Sequence, residues 1–174
     1  MEKTFKFCPN CSSQNISFDF RKFECKDCAM VYYQNVATAT AIILRKDDEI
    51  LFTIRNREPQ KGKLDLPGGF TDPNETAEQS CLRELKEELN LDLDASKLNY
   101  LMSQPNDYEY KTIPYKTCDL VYEAIYPNDV EMTLEEDEIA AVKWIKIDEI
   151  NLDEIGFKSL RNAVEYYINL NKLQ

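Results

Sequence analysis

The sequence predicts an α/β fold with a small metal-binding ribbon ahead of a larger domain. Three observations support this prediction: two CxxC pairs within the first 28 residues, runs of β-branched residues from about residue 36 onward, and a well-capped helix behind a glycine-rich turn. A chain of 174 residues has room for one medium domain with a small appendage, but not for two full-sized domains. We therefore expect a ribbon at residues 1–33 and a main domain at residues 34–174.

Four cysteines predict the N-terminal ribbon. Cys8 and Cys11 form one CxxC pair, and Cys25 and Cys28 form a second pair thirteen residues later. This spacing is typical of a structural zinc site with four thiolate ligands. The alternating apolar residues at 16–20 predict short strands around the metal. An alternative is a set of redox-active CxxC motifs or disulfides, but redox motifs rarely occur in tandem at this spacing.

Strand-like and helix-like segments follow in the main domain. The residues at 36–44 and 50–55 are rich in β-branched side chains and predict a β-hairpin. Residues 64–70 hold two adjacent glycines, which indicates backbone that takes unusual dihedral angles or approaches a ligand closely. Further strands are expected at residues 115–124 and 139–145, and an amphipathic helix capped near Ser159 ends the chain.

A central helix is predicted from its two ends. Thr76 and Gln79 form a capping box, in which each side chain accepts a hydrogen bond from the other residue's backbone amide. The helix is expected to run to Leu89, and Asn90 can take the left-handed conformation that ends many helices.

The same helix carries a set of acidic residues on one face. Glu84, Glu87 and Glu88 are spaced i, i+3 and i+4, so their carboxylates lie close together and repel one another. A divalent cation between them would remove this repulsion, and oxygen ligands suit Mg²⁺ or Mn²⁺ rather than zinc. The alternative is an acidic helix face that only contacts solvent.

The residues around this face match a longer pattern. Gly69 is followed after five residues by Glu75, and after seven more by Arg83-Glu84-Leu85-Lys86-Glu87-Glu88. This segment resembles the Nudix box, GX5EX7REUXEEXGU, in which U is an aliphatic residue. The departure is Asn90, which stands at the glycine position and is a common substitute for glycine in a left-handed cap.

Resemblance to the Nudix superfamily implies an α/β/α sandwich with a mixed sheet, and hydrolysis of a nucleoside diphosphate linked to another group. It implies that Glu84, Glu87 and Glu88 hold the Mg²⁺ or Mn²⁺ ions together with the backbone carbonyl of Gly69. It also implies that Glu75 pairs with Arg83 to brace the loop against the helix. We therefore expect these residues to form the catalytic site.

One more carboxylate is expected from outside the box. Residues 129–138 hold six acids and no base, directly before the strand predicted at 139–145. We choose Glu138 as a further catalytic and metal-binding residue, because in position it resembles the Glu-Ile that precedes Ala-X-Trp in many members. Glu135 and Glu136 are the reserve candidates, and a solvated loop is the alternative for each of them.

The substrate is less well defined by the sequence. A zinc ribbon directly ahead of this domain resembles the layout of NADH pyrophosphatases, and Ser103-Gln104-Pro105 resembles the start of their SQPWPFPxS signature, but residues 106–110 then depart from it. NADH or another dinucleotide, ADP-ribose and nucleoside polyphosphates all remain open. The aromatic residues expected to bind a base are Phe70, Tyr108, Tyr110 and Tyr115; the alternative for the tyrosines is that they only form the surface of a strand.

Composition excludes several other functions. The chain has 21 Lys and Arg against 32 Asp and Glu, a net charge of −11, which argues against nucleic acid as a partner. It has no histidine, so mechanisms based on imidazole, such as Ser-His-Asp triads, are excluded. We expect no signal peptide, no membrane partner and a cytoplasmic location. The resemblance also implies a homodimer. The rival function is a non-catalytic module that senses nucleotides or binds protein or nucleic acid.

Overall fold

The computed structural model describes residues 5–19, 21–111, 113–127 and 130–172. Phe20 of the predicted ribbon strands and Asp129 of the predicted acidic run lie outside these ranges. The chain forms two compact units, Met1–Val36 with Lys111–Ile113 and Ala37–Tyr110 with Pro114–Gln174. Within the described ranges, no helix is both long and apolar enough to cross a membrane.

The first unit contains a three-stranded antiparallel sheet. Its strands in sheet order are β1 (Ile16–Phe18), β2 (Lys22–Cys25) and β3 (Val31–Tyr33). Phe23 is buried with Cys8 and Cys25, and Phe5 and Phe18 pack against this small core. The core is too small to stabilise the unit alone, which fits the expectation that a metal contributes to its folding.

The second unit is built on a six-stranded mixed sheet. Its strands are β4 (Ala37–Lys46), β5 (Glu49–Arg55), β6 (Leu64–Asp65), β7 (Asn99–Tyr110), β8 (Ile113–Ile125) and β9 (Ile139–Lys146). The order is β6-β5-β4-β8-β7, with β9 paired to β5. Its two helices are α1 (Ala77–Leu89) and α2 (Lys158–Lys172), and short 3₁₀ turns lie at Ala95–Lys97 and Leu152–Glu154.

Helices cover both faces of this sheet. Ile42 and Leu44 of β4 pack with α1, whereas Ala41 and Ile43 pack with α2, as expected for a strand whose side chains alternate between two buried faces. The predicted α/β/α sandwich with a mixed sheet is confirmed.

The predicted hairpin forms only in part. β4 and β5 pair at Arg45↔Ile50 and Lys46↔Glu49, and beyond these residues the two strands diverge. β5 instead pairs antiparallel with β9 along its length, and β4 pairs with β8 in parallel. This divergence opens the sheet between β4 and β5.

The C-terminal helix begins one residue before the predicted cap. Ser159 is the second residue of α2, and its hydroxyl donates a hydrogen bond to Asp119 of β8, so the expected capping role is wrong. The predicted apolar stripe of α2 is buried; its residues are Leu160, Ala163, Val164, Tyr167 and Ile168.

Candidate active site

A cavity of about 580 Å³ lies in the second unit. Its walls come from β4, from the glycine loop after β6, from α1, from β8 and from the acidic segment before β9. Eight of the predicted residues line it: Gly69, Phe70, Arg83, Glu84, Glu87, Glu88, Tyr108 and Glu138. Residues that are far apart in sequence therefore meet at one place.

The two glycines allow the loop to lie directly on its neighbours. Gly68 has φ 144°, and a Cβ there would lie 2.1 Å from the Thr40 carbonyl oxygen. A Cβ on Gly69 would lie 2.4 Å from Glu84 Oε1, so a side chain at this position would displace the carboxylate. The Gly69 carbonyl accepts a hydrogen bond from the Thr40 amide at 2.8 Å, and its second lone pair remains available for a metal ion.

Helix α1 begins and ends as its sequence predicts. The Thr76 side chain accepts a hydrogen bond from the Gln79 amide, and the Gln79 side chain accepts one from the Thr76 amide. Asn90 closes the helix with φ 53° and ψ 34°. These caps fix which residues of α1 face the loop.

Two carboxylates of α1 face the glycine loop, Glu88 buried and Glu84 partly buried, with 12% of its side chain exposed. Glu88 is 9% exposed and accepts a hydrogen bond from the Gly68 amide at 3.0 Å. Burial raises the pKa of the Glu88 carboxyl well above its usual range, and the charges of Glu84 and Glu138 add to the effect. Burial also raises the pKa of Glu84, although Arg83 opposes this shift. Such desolvated carboxylates favour the binding of a cation.

Glu87 differs from its two neighbours because it is open to solvent. Its side chain is 59% exposed and accepts a hydrogen bond from Arg83 Nη1 at 2.8 Å. It borders the same cavity as Glu84 and Glu88, from the outer side of the helix.

Arg83 connects the helix to the loop. Its Nε and Nη2 donate to the two oxygens of Glu75 at 2.9 and 3.2 Å, and its Nη1 donates to Glu84 at 2.8 Å. Nη2 also donates to the Phe70 carbonyl at 3.0 Å. These hydrogen bonds raise the pKa of Arg83 above its usual value, so the guanidinium stays charged. Glu75 also accepts the Asp72 amide, which braces the loop.

Backbone contacts bring the acidic segment to the helix. The Glu135 amide donates to the Glu88 carbonyl at 3.0 Å, and the Asn56 amide donates to the Glu138 carbonyl at 2.8 Å. The side chain of Glu138 forms an ion pair with Arg57. Glu135 lines the cavity beside Glu138, whereas Glu136 borders a separate surface depression.

The donor set in the cavity suits a hard divalent cation. Its charged ligands are carboxylates, and Mg²⁺ binds such oxygen atoms while it keeps several water molecules. Within the described residues, the carboxylates do not form a group of three with all ligand oxygens within 4.8 Å, a criterion that only the cysteine cluster meets. Water molecules would therefore complete the coordination of an ion held here.

The predicted aromatic residues lie beside the carboxylates. Phe70 and Tyr108 contact edge to face with ring centres 5.4 Å apart. Both also line a neighbouring cavity of about 420 Å³, together with Tyr110 and Tyr115. The structure thus brings the four residues together around one aromatic surface.

Several residues of the cavity are absent from the sequence prediction. Arg55 donates to Asp65 at 2.6 Å, and its guanidinium carbon lies 5.0 Å from the ring centre of Phe157. Arg57 and Asp119 line the cavity as well. These residues come from separate strands and loops with no local motif, so the sequence offers no signal that would single them out.

The four cysteines of the first unit form a second candidate metal site. Their Sγ atoms all lie within 4.8 Å of one another, with 3.7 Å between Cys8 and Cys28 and 3.6 Å between Cys11 and Cys25. A tetrahedral zinc site with Zn–S bonds of ~2.3 Å needs sulfur atoms ~3.8 Å apart. The thiols therefore have the spacing that a zinc ion requires.

Comparison with known proteins agrees with the fold. The chain is 31% identical over 106 residues to a protein of Vibrio atlanticus (strain LGP32) named NAD-capped RNA hydrolase NudC, an alignment that covers 60% of this chain and 38% of that relative. It is 39% identical over 74 residues to an ADP-ribose pyrophosphatase of Methanocaldococcus jannaschii, covering 42% of this chain and 44% of the relative. The chain thus spans less than half the length of either.

This chain shares its fold with a solved structure, and its sequence matches a family model. The crystal structure of a NUDIX hydrolase from Nitrosomonas europaea matches with a TM-score of 0.68 at 22% identity, over 95% of this chain and 91% of that chain. The NUDIX domain family matches residues 34–166. The chain therefore belongs to the Nudix family.

Proposed function

We propose that this protein hydrolyses the pyrophosphate bond of a nucleoside diphosphate derivative with Mg²⁺ or Mn²⁺ and releases a nucleoside monophosphate. The observation that carries this proposal is that Glu88 is buried, and Glu84 largely shielded from solvent, against the Gly68-Gly69 loop in a cavity of about 580 Å³. Ordinary surface carboxylates do not need such desolvation, whereas a divalent cation binds more strongly to desolvated oxygen atoms.

The carboxylates of Glu84, Glu87, Glu88 and Glu138 and the carbonyl of Gly69 would hold the cation in this proposal. A bound divalent cation would supply positive charge for the phosphoryl oxygens and ease the deprotonation of water at neutral pH. One carboxylate of this set takes the proton of the attacking water, since the chain has no imidazole.

Arg83 and Glu75 act as positioning residues in the same proposal. Arg83 contacts Glu75, Glu84 and Glu87 and the carbonyl of Phe70. It therefore holds the helix and the loop at the separation that the site requires.

The substrate proposed here carries an aromatic base. Phe70, Tyr108, Tyr110 and Tyr115 offer a continuous aromatic surface beside the carboxylates, and aromatic rings of this kind bind bases by stacking. NADH or another dinucleotide, ADP-ribose and simple nucleotides are the candidates. The printed names of two relatives, an NAD-capped RNA hydrolase and an ADP-ribose pyrophosphatase, favour the first two.

The first unit is proposed to be a separate domain, residues 1–33, stabilised by one zinc ion on Cys8, Cys11, Cys25 and Cys28. The catalytic domain is then residues 34–174. A site of four thiolates needs a compartment that keeps cysteine reduced, which supports a cytoplasmic location. The resemblance also implies a homodimer, which light scattering tests, and the net charge argues against nucleic acid as a general partner.

A substrate screen tests the proposal. Purified protein is incubated with NADH, ADP-ribose and nucleoside triphosphates in Mg²⁺ or Mn²⁺, and released mononucleotide is measured. We expect Glu88→Gln and Glu87→Gln to lower turnover by about a hundredfold. Glu78→Gln is the control, because Glu78 lies on the same helix but its carboxylate binds the Tyr122 hydroxyl outside the cavity.

The screen also separates the proposal from its rival. Absence of turnover with every pyrophosphate, or full turnover in both variants, would overturn the proposal. Binding of a nucleotide without turnover would then favour a sensor.

A further inference from the structure

Asp119 is a buried carboxylate that the proposed reaction does not use. It lies on β8, is 6% exposed and lines the same cavity as Glu84 and Glu88. Its neighbours along the strand, Leu120 and Tyr122, point to the α1 side of the sheet, whereas Val121 packs on the α2 side. Asp119 therefore projects toward α2, because side chains alternate along a strand.

Its partners satisfy only half of its hydrogen-bonding capacity. Oδ1 accepts a hydrogen bond from the Thr117 hydroxyl at 2.6 Å, and Oδ2 accepts one from the Ser159 hydroxyl at 2.5 Å. Each carboxylate oxygen can accept a second bond. Among the residues described, no Lys or Arg nitrogen lies within 4.0 Å of this carboxylate. Arg55 lines the same cavity but pairs with Asp65.

A carboxylate in this position lowers the stability of the folded protein unless a further hydrogen-bond donor reaches it. Burial of a charge without a cationic partner destabilises the folded protein, and two neutral hydroxyls compensate for only part of that cost. An ionisable group that stays buried in a cleft at this cost is a candidate for ligand binding.

The surroundings of Asp119 indicate which donor fits. The cavity wall beside Asp119 includes the apolar side chains of Phe157, Leu160 and Ala41 and a second carboxylate, Asp65. The Arg55 guanidinium lies 5.0 Å from the centre of the Phe157 ring and is paired with Asp65, whose pKa is raised mainly by burial and further by the charge of Asp119. Because Asp65 already pairs with Arg55, the carboxylate of Asp119 is left to repel a phosphate, but it complements a heteroaromatic ring that carries N–H donors.

We propose that Asp119 determines base specificity by accepting a hydrogen bond from an amino group on the substrate's ring. The ring lies along the wall formed by Phe157 and Leu160, while the diphosphate lies toward Glu84 and Glu88. This inference rests on the proposed function, because it takes the ligand of the cavity to be a nucleotide. The cavity of about 580 Å³ has the size of a typical small-molecule site.

Nucleosides test this inference without metal or pyrophosphate. Adenosine and purine riboside differ only in the 6-amino group, so their binding to the whole protein without added Mg²⁺ or Mn²⁺, followed by NMR titration, isolates the proposed bond. We expect adenosine to bind about tenfold more tightly or better, the effect of a hydrogen bond to a charged group. Equal binding of the two nucleosides, or no binding of adenosine up to its solubility limit, would overturn the inference.

Two variants separate recognition from structure. Asp119→Ala removes the carboxylate and should bring the ratio of the two affinities close to one. Ser159→Ala removes the same β8-to-α2 hydrogen bond but leaves the carboxylate, so it should keep the preference for adenosine. Thermal melting confirms that each variant is folded.

Other outcomes would contradict the inference. If Asp119→Ala kept the preference for adenosine, Asp119 would be a structural residue. If the variant kept that preference and also lost Mg²⁺ binding, Asp119 would be a metal ligand. Because hydrolysis plays no part in the assay, failure here leaves the substrate screen unaffected, and failure of that screen leaves the nucleoside ratio measurable.

Discussion

Replacing Glu88 with Gln should stabilise the metal-free protein and abolish its response to Mg²⁺. Glu88 is 9% exposed, and its carboxylate faces Glu84 without a cation of its own. Gln has the same shape and can still accept the hydrogen bond from the Gly68 amide, which Glu88 accepts at 3.0 Å. The substitution therefore removes a buried charge and keeps its hydrogen bond.

The size of the effect follows from this balance. An unpaired buried charge costs several kcal/mol, and a hydrogen bond to a charged group returns ~1.5–3 kcal/mol. We expect the variant to gain about 1–2 kcal/mol in unfolding free energy without metal. For a chain of this size each kcal/mol shifts the Tm by ~2–4 °C, so the Tm should rise by ~2–8 °C.

The pH dependence gives the same prediction a second readout. Because the folded-state pKa of Glu88 lies above its ordinary value of 4.5, the native state binds more protons than the unfolded state. The stability that the Glu88 carboxyl contributes is present at pH below 4.5 and is lost as pH rises through its folded-state pKa. The metal-free wild type should lose this stability as pH rises, and Glu88→Gln should show a flatter curve.

Thermal melts without added divalent cation and in Mg²⁺ measure both effects. Mg²⁺ at a hundred times its Kd stabilises the wild type by ~2.7 kcal/mol, and the variant should not respond. Glu87→Gln is the control, because that side chain is 59% exposed and its loss should change metal-free stability by less than about 0.5 kcal/mol. A lower metal-free Tm for Glu88→Gln, or an unchanged Mg²⁺ shift, would refute the reasoning.

Four further predictions concern the rest of the site and the ribbon. Arg83→Ala should lower the unfolding free energy in urea by about 2–4 kcal/mol, and Arg83→Lys should recover less than half, because lysine lacks the planar fork; a loss under 0.5 kcal/mol would contradict this. Metal analysis should find one zinc per chain, lost in Cys25→Ser and kept in Cys81→Ser. Arg55→Ala should cost about 3–5 kcal/mol because it leaves Asp65 buried and unpaired, and adding Asp65→Asn should restore part of it; additive losses would argue against the pair. Calorimetry should show Mg²⁺ tightening AMP binding about tenfold or more, and AMP tightening Mg²⁺ binding by the same factor; equal AMP binding with and without added Mg²⁺ would count against a cation-dependent site.

Local signals in the sequence predict the helix and its acidic face well. The capping box at Thr76 and the left-handed Asn90 depend on interactions within a few residues, and both appear as predicted. The i, i+3, i+4 spacing also places Glu84, Glu87 and Glu88 correctly beside one cavity. It does not predict that Glu88 is buried whereas Glu87 is exposed, because that difference depends on the loop packed against the helix.

Non-local pairing is what the sequence does not reveal. The short hairpin of β4 and β5 reflects a local turn, but the partners of these strands, β8 and β9, lie far along the chain. The same is true of Phe157 and Asp119, which enter the site only because α2 and β8 pack there. Ser159 shows the limit of local rules, since its hydroxyl binds Asp119 and does not cap the helix.

The charge of the cavity bears on how an acidic protein could act on the anionic substrate proposed above. The arginines that line it, within the described residues, are Arg55, Arg57 and Arg83, and each is already paired with carboxylates. None of these guanidiniums is left to attract a diphosphate, while Glu84 and Glu88 would repel one. Positive charge must then arrive with the ligand, and in the proposed function a divalent cation held by those carboxylates would supply it. The net charge of −11 is therefore compatible with a diphosphate substrate provided that the cation binds first or together with it.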